Sequence, residues 1–168
     1  NTRGVTTLNR YFGEEAVAEI IARYGKADAI SANNVFAHID DIRSVLRNVR
    51  ELLADDGFFV IEFAYLVTML EKMYFDMVYH EHVCYIGVTA LDLFTTRFGM
   101  EIFDIKPVDT HGGSLRVFIQ KKSGPRTRAG VVGRYLADEK QKGCREDRVY
   151  GEFAERVLGF RSELNGML

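Results

Sequence analysis

The stretch Phe75-Asp76-Met77-Val78-Tyr79-His80-Glu81-His82-Val83-Cys84-Tyr85 brings two imidazoles, the Glu81 carboxylate and two phenols within eleven residues. The chain has four histidines in all, and two of them stand here. These are groups that move a proton near neutral pH. Imidazole titrates close to 7, a neighbouring carboxylate raises its basicity, and a phenol donates to a developing oxyanion. On a helix Tyr79 and His82 would share a face. In an extended segment Tyr79 and Glu81 point one way, His80 and His82 the other. Two other readings stand beside the catalytic one. The stretch would also serve as a surface helix rich in polar aromatics, because titratable clusters mark sites only statistically. His-Glu-His also invites zinc, but the helical zinc motif sets its histidines at i and i+4, and these stand at i and i+2.

The elements that would position such a cluster need a core, and 168 residues are enough for one domain with a sizeable one. A hydrophobic content of 47% and a charged content of 27% are those of a soluble globular chain. The net charge of -2 gives no argument for nucleic acid or an anionic membrane surface, and neither is expected as partner. Cys84 and Cys144 are too few for a disulfide framework or a structural zinc site, and they fit a reducing, cytoplasmic compartment. No apolar run approaches the ~20 residues of a membrane helix, and the N-terminus does not read as a signal peptide. Because the first residue is Asn1 rather than methionine, a piece of a longer chain is expected.

In chain order, Gly4-Val5-Thr6-Thr7-Leu8 has the β-branched content of a short strand. Glu14 to Tyr24 reads as a helix, with Ala16, Val17, Ile20 and Ile21 on one face and Gly25 as its stop. Lys26 to Ala32 leads into a buried strand that ends at Asn33-Asn34, where Val35 to Ile39 turns away. Asp40 or Asp41 caps the next helix, whose apolar face is Ile42, Val45, Leu46, Val49, Leu52 and Leu53. Asp55-Asp56-Gly57 reads as its stop, and Phe58 to Phe63 as a strand buried on both faces. A helix over Thr89 to Phe98 ends at Gly99. Strands over Met100–Ile105 and Leu115–Ile119, joined through His111-Gly112-Gly113-Ser114, predict a closing antiparallel hairpin. Lys121 to Thr127 reads as a linker. Asp138 to Leu168 reads as charged helix, with an apolar face of Tyr150, Phe153, Val157, Phe160 and Leu164 and nothing obvious to pack it on. Alternating strands and helices point to an α/β domain with a largely parallel sheet, whose ligands bind at the carboxyl ends of the strands. Asn33, Asn34, His38, Glu62 and Tyr65 all fall at such ends. Asn33-Asn34 also fits an ordinary turn pair, whereas Glu62 closing an apolar strand must be solvated or paired.

Four stretches together resemble the S-adenosylmethionine-dependent sugar C-methyltransferases, which methylate a ring carbon of nucleotide-linked keto-deoxysugars. They are Tyr11-Phe12-Gly13, Ala32-Asn33-Asn34-Val35-Phe36-Ala37-His38-Ile39, Phe75-Asp76 with Tyr79-His80-Glu81-His82, and Thr110-His111-Gly112-Gly113-Ser114-Leu115-Arg116. They stand in the family's order between Gly4 and Ile119; the tail from Tyr150 matches more weakly. The resemblance implies a class I methyltransferase sheet, incomplete here, running from its third strand to the closing antiparallel hairpin. Residues 1–122 would be the C-terminal part of that domain, and 123–168 a linker and the first helices of a C-terminal substrate domain. The glycine-rich loop, the acidic ribose partner and the zinc cysteines of the family's N-terminal domain have no match in this sequence. The strand near Val5–Leu8 is then expected to lie unpaired, apart from the sheet or wrongly against the strand ending at Ala32. The 168-residue chain by itself is expected to bind S-adenosylmethionine weakly and not to methylate.

What the resemblance implies for the site is a base that takes the proton beside the ketone and donors that stabilise the enolate. His82 is the expected base, Tyr79 and His38 the hydrogen-bond donors to enolate or sugar, and Glu81 the group that orients them; Tyr79 and His82 could exchange roles. Asn33 and Asn34 are expected at the methionine end of the cofactor or the sugar, and Phe12 over the adenine. The nucleotide-sugar is the expected partner, with no resident metal. Readings from other classes are an oxygen or nitrogen methyltransferase, which needs no carbon base, a non-catalytic Rossmann-like module, and a metal-dependent hydrolase built on His38, His80, His82 and His111.

Overall fold

The computed structural model describes residues 4–167. Helix α1 (Glu14–Tyr24) starts at Gly13 and stops at Gly25, whose φ of 80° breaks the helical path while its N–H still bonds Ile21. Strand β1 (Ala27–Asn33) follows, and Phe36–His38 forms a single 3-10 turn beyond it. Helix α2 (Ile42–Leu52) is capped by Asp41, whose carboxylate accepts from the Ser44 N–H at 3.0 Å. Strand β2 (Leu53–Ala64) runs into α3 (Leu66–Lys72). After the turn-rich stretch 73–87 come α4 (Val88–Arg97), β3 (Met100–Val108) and β4 (Ser114–Lys121). Two helices close the chain, α5 (Gly130–Gln141) and α6 (Asp147–Met167); Leu168 lies outside the described residues.

The four strands form one sheet in the order β1-β2-β4-β3. The β1–β2 pair is parallel, from Ala29 opposite Phe58 to Asn33 opposite Glu62. The β2–β4 and β3–β4 pairs are antiparallel, so the expected hairpin closes the sheet, which is mixed rather than largely parallel as expected, because β4 returns between β2 and β3 without a crossover helix. Phe59, Ile61 and Phe63 of β2, Val117 and Ile119 of β4 and Ile102 and Ile105 of β3 carry the core with Leu46 and Val49 of α2 and Val88 and Leu91 of α4. Apolar area on this scale dominates folding at about 25 cal/mol per Å².

Several local expectations change. Residues 4–13 contain no strand, so Val5–Leu8 stands apart from the sheet as a coil. β1 is largely exposed rather than buried, because it pairs only with β2 and its other edge is free among the described residues. Asp55-Asp56-Gly57 does not stop a helix; it lies inside β2, at an irregularity of the β1–β2 register. A Cβ on Gly57 would lie 2.8 Å from the Ala27 carbonyl oxygen, so this glycine permits close approach of two backbones. The stretch after β4 is docked: Gln120 donates to the Arg126 carbonyl at 2.7 Å, and the Arg126 guanidinium stands over Phe58 and Phe103. The apolar side of α6 is mostly uncovered, although Phe160 meets Phe75 and Arg156 donates to the Leu70 carbonyl. Among the described residues no helix is long and apolar enough to cross a membrane.

Candidate active site

A cleft of about 150 Å³ opens at the carboxyl ends of β1 and β2, where an α/β sheet binds its ligands. Asn34, His38, Tyr79, His82 and His111 bring its polar groups, and Phe63, Met69, Met77 and Ile86 part of its apolar wall. Asn34 and His38 arrive from the turn after β1, and Tyr79 and His82 from the stretch between α3 and α4. Apart from a 3-10 turn at Phe75–Met77, that stretch is neither helix nor strand. Residues 79–82 make a turn in which the His82 N–H bonds the Tyr79 carbonyl at 3.1 Å.

The turn folds the two side chains onto each other. The Tyr79 hydroxyl lies 2.9 Å from His82 Nε2, and the rings are 4.1 Å apart. His82 Nδ1 lies 2.8 Å from the Met77 carbonyl. A carbonyl only accepts, so Nδ1 carries a proton and donates it there. Neutral His82 therefore presents its lone pair at Nε2, where the phenol donates to it. His38 is held in the same manner: its Nδ1 donates to the Glu81 carbonyl at 2.8 Å, and its ring lies 4.8 Å from that of His82. The backbone bonds of Val83 and Cys84 to the Ala37 carbonyl tie the two loops together.

Beneath the cleft, Glu62 joins three segments. It is only 4% exposed, and the strand register sets Asn33 on one side of it and Arg116 on the other. Its carboxylate accepts from Arg116 Nε at 3.0 Å and Nη2 at 2.6 Å, from the Thr110 hydroxyl at 3.1 Å and from Asn34 Nδ2 at 3.4 Å. The Arg116 hydrogen bond holds the Glu62 carboxyl below its ordinary pKa, against the opposing pull of burial. Asn34, at φ 52°, stands in the left-handed region that asparagine tolerates, and its N–H bonds the Glu62 carbonyl at 2.8 Å.

A second buried carboxylate anchors the far end of the site stretch. Glu139 of α5, 2% exposed, accepts from the Val88 and Thr89 N–H groups at 2.5 and 2.8 Å and from the Tyr65 hydroxyl at 2.9 Å. It thus satisfies the N-terminus of α4 from another helix. Burial, then the Glu139 charge, pushes the Tyr65 phenol well above its ordinary pKa, so Tyr65 stays a donor.

Of the residues singled out in the sequence, His38, Tyr79, His82 and Asn34 line one cleft. Glu81 contributes its backbone carbonyl, and its side chain is exposed outside the lining; His80 is exposed as well. Asn33 is exposed at the end of β1, and Phe12 stands 37% exposed before α1, outside the cleft lining. Among the described residues no three His, Cys, Asp or Glu side chains are grouped closely enough to hold a metal ion. The Glu62–Arg116 and Tyr65–Glu139 pairs were not legible as pairs. The available signal was one charge of each sign in two otherwise apolar strands, Phe58–Phe63 and Leu115–Ile119.

Two family models divide the chain. The one described as a methyltransferase domain matches residues 2–104, and the one described as a C-methyltransferase C-terminal domain matches residues 109–168. The chain belongs to the methyltransferase-domain family. It is 36% identical over 168 residues to C-methyltransferase NovU of Streptomyces niveus, covering all of this chain and 40% of that protein. The chain thus spans about two fifths of the length of this curated relative. Its fold resembles that of an S-adenosylmethionine-dependent methyltransferase from Anabaena variabilis, with a TM-score of 0.50, 12% identity, and coverage of 71% of this chain and 61% of that one. The magnesium protoporphyrin IX methyltransferase of Synechocystis overlaps less, with a TM-score of 0.44, 14% identity, and coverage of 64% and 57%. The class I methyltransferase fold expected from the sequence is the one found. β4, which pairs with β2 and β3, lies beyond residue 104, so one sheet spans both matched segments.

Proposed function

We propose that the full-length protein transfers a methyl group from S-adenosylmethionine to a ring carbon of a nucleotide-linked keto-deoxysugar through an enolate. The observation that carries this reading is the Tyr79–His82 hydrogen bond at the mouth of the cleft, with His82 Nδ1–H already committed to Met77. Methylation of oxygen or nitrogen needs no base for a carbon acid; methylation beside a ketone does. The C–H bond breaks, its electron pair becomes the enolate, and the ketone oxygen takes the negative charge. His82 Nε2 is the final acceptor of the proton. Tyr79, hydrogen-bonded to it, either donates to the oxyanion or passes the proton on. A positioned base contributes about 100- to 10,000-fold, and donors at the oxyanion a comparable factor. His38, fixed at Nδ1 by the Glu81 carbonyl, offers Nε2 to a sugar oxygen, so Glu81 orients the site through its backbone.

The residues present fit part of the cofactor. Asparagine amides stand at the carboxyl end of β1, and the cleft of about 150 Å³ accommodates the reacting ends of two ligands. That is below the ~300–1,000 Å³ of a site that encloses a whole small molecule. S-adenosylmethionine, when bound, supplies an electrophilic methyl group. We propose Asn33 and Asn34 for its methionine end or the sugar and Phe12 for its adenine; of these three, Asn34 lines the cleft. We also propose that residues 1–122 form the C-terminal part of the methyltransferase domain and that 123–168 begin a substrate domain. A cytoplasmic location accords with the two free cysteines.

The test is His82→Asn in the full-length protein. The expected result is a fall in kcat of about 100-fold or more, unchanged S-adenosylmethionine affinity, and loss of solvent-proton exchange beside the ketone measured without cofactor. Near-normal turnover removes His82 as the base. Exchange that persists in this variant and vanishes in Tyr79→Phe exchanges the two roles. A methylated oxygen or nitrogen in the product defeats the reading.

A further inference from the structure

The cleft carries a third imidazole that the proposed reaction does not use. His111 lies on the 3-10 turn Thr110–Gly112 between β3 and β4 and lines the cleft with Asn34, His38 and His82. Its backbone sits at φ 49° and ψ 40°, in the left-handed region, which is strained for a residue with a Cβ. The turn that holds it is tightly determined. A Cβ on Gly112 would come within 2.5 Å of the Tyr74 ring, and one on Gly113 within 2.8 Å of Thr68. Lys72 donates to the Gly112 carbonyl at 3.0 Å, and the Tyr65 N–H to the Gly113 carbonyl at 3.3 Å. The Thr110 hydroxyl donates to buried Glu62 at 3.1 Å, and the Ser114 hydroxyl to the Thr110 carbonyl at 2.9 Å. Among the described residues the imidazole of His111 itself has no hydrogen-bond partner, and the residue is exposed. The backbone on either side of His111 is held by these bonds, while its imidazole lines the cleft.

We infer that His111 binds the substrate, hydrogen-bonding a hydroxyl of the sugar in the cleft it shares with the Tyr79–His82 pair. This rests on the keto-sugar reading above. The sheet order places β2 between β1 and the β3–β4 turn, so His111 enters the cleft from a different strand end than Asn33 and Asn34, which are proposed for the cofactor or the sugar. A neutral imidazole has one donor and one acceptor, as a sugar hydroxyl does, and the two match without either being ionised. His111 is therefore a specificity-determining residue, distinct from the proton-transfer groups.

The experiment uses the full-length protein with a panel of nucleotide-linked keto-sugars. His111→Gly deletes the imidazole and relieves the left-handed strain; His111→Asn keeps a donor that tolerates the same backbone. The expected result for His111→Gly is a KM for the keto-sugar nucleotide raised about 10- to 100-fold and kcat within about 3-fold of wild type. Binding of S-adenosylmethionine and of the bare nucleoside diphosphate is expected to be unchanged, and the melting temperature equal or higher. His111→Asn is expected to recover part of the KM. An unaltered KM in His111→Gly overturns the assignment, as does weakened cofactor binding, or an equal loss for the bare nucleoside diphosphate. A fall in melting temperature that tracks the KM also overturns it. If the wild type turns over no member of the panel, the reading of the reaction fails and takes this one with it; turnover with an unaltered KM defeats His111 alone.

Discussion

Removing the charge of Glu62 should loosen the floor of the cleft, and the two members of its ion pair should respond unequally. Glu62→Gln keeps the shape but places an amide where two guanidinium bonds, a hydroxyl bond and a long amide bond converge. Breaking a buried pair by removing one member costs about 3–5 kcal/mol, chiefly because the survivor is left charged and dry. Here the survivor is Arg116, whose side chain is 43% exposed against 5% for Glu62, so it returns to water. The expected loss for Glu62→Gln is therefore at the low end, about 3 kcal/mol, a fall in Tm of about 6–12 °C for a chain of this size. Arg116→Met strands the buried carboxylate instead and should cost more, about 4–5 kcal/mol. The pH dependence has a definite sign. With the folded-state pKa held below 4.5 by Arg116, the contribution of Glu62 is present in full above that value and is lost as pH falls through the folded pKa. Chemical denaturation of the full-length protein at pH 7 and at a series of values below 4.5, for both single variants and the double variant, measures all of this. Equal losses for the two single variants, or an acid limb in Glu62→Gln as steep as in wild type, would refute the buried-carboxylate argument.

Two further outcomes follow from the same geometry. Tyr65→Phe leaves Glu139 short of one donor and should cost about 1–2 kcal/mol at neutral pH. Because the folded state keeps the phenolic proton that the unfolded chain releases above 10, stability should fall as pH rises past that value, and this variant should lose its share of that fall; an alkaline slope identical to wild type in urea denaturation would count against it. Gly112→Ala drives a Cβ to within 2.5 Å of Tyr74 at a φ of 75° and should cost about 2–3 kcal/mol, read as a lower Tm together with a higher substrate KM. A Tm within 1–2 °C of wild type, a loss of less than about 1 kcal/mol, would show that the turn has room.

The amino-acid sequence determined the local elements, and the reasons are local. Glycines at 13 and 25 bound α1, Asp41 caps α2, and the apolar runs of β2, β3 and β4 needed no partner to be recognised. The pairing of Tyr79 with His82, proposed for proton transfer, was legible too, because they stand three residues apart and a single turn brings them to 2.9 Å. What the tertiary structure decided lies at long separation. Glu62 and Arg116 meet only because β2 and β4 pair antiparallel in one register; a shift of one residue would send Arg116 to the other face. Tyr65 and Glu139, 74 positions apart, meet only because α5 docks beside α4. Burial was also misread locally: the strand ending at Asn33 reads as buried from its composition, yet exposure depends on what covers its faces and edges, and β1 has a pairing partner on one side alone. Side-chain types and short spacings are written in the chain, whereas ion pairs across a sheet, strain at His111 and burial are properties of the packed arrangement and exist only once the register is chosen.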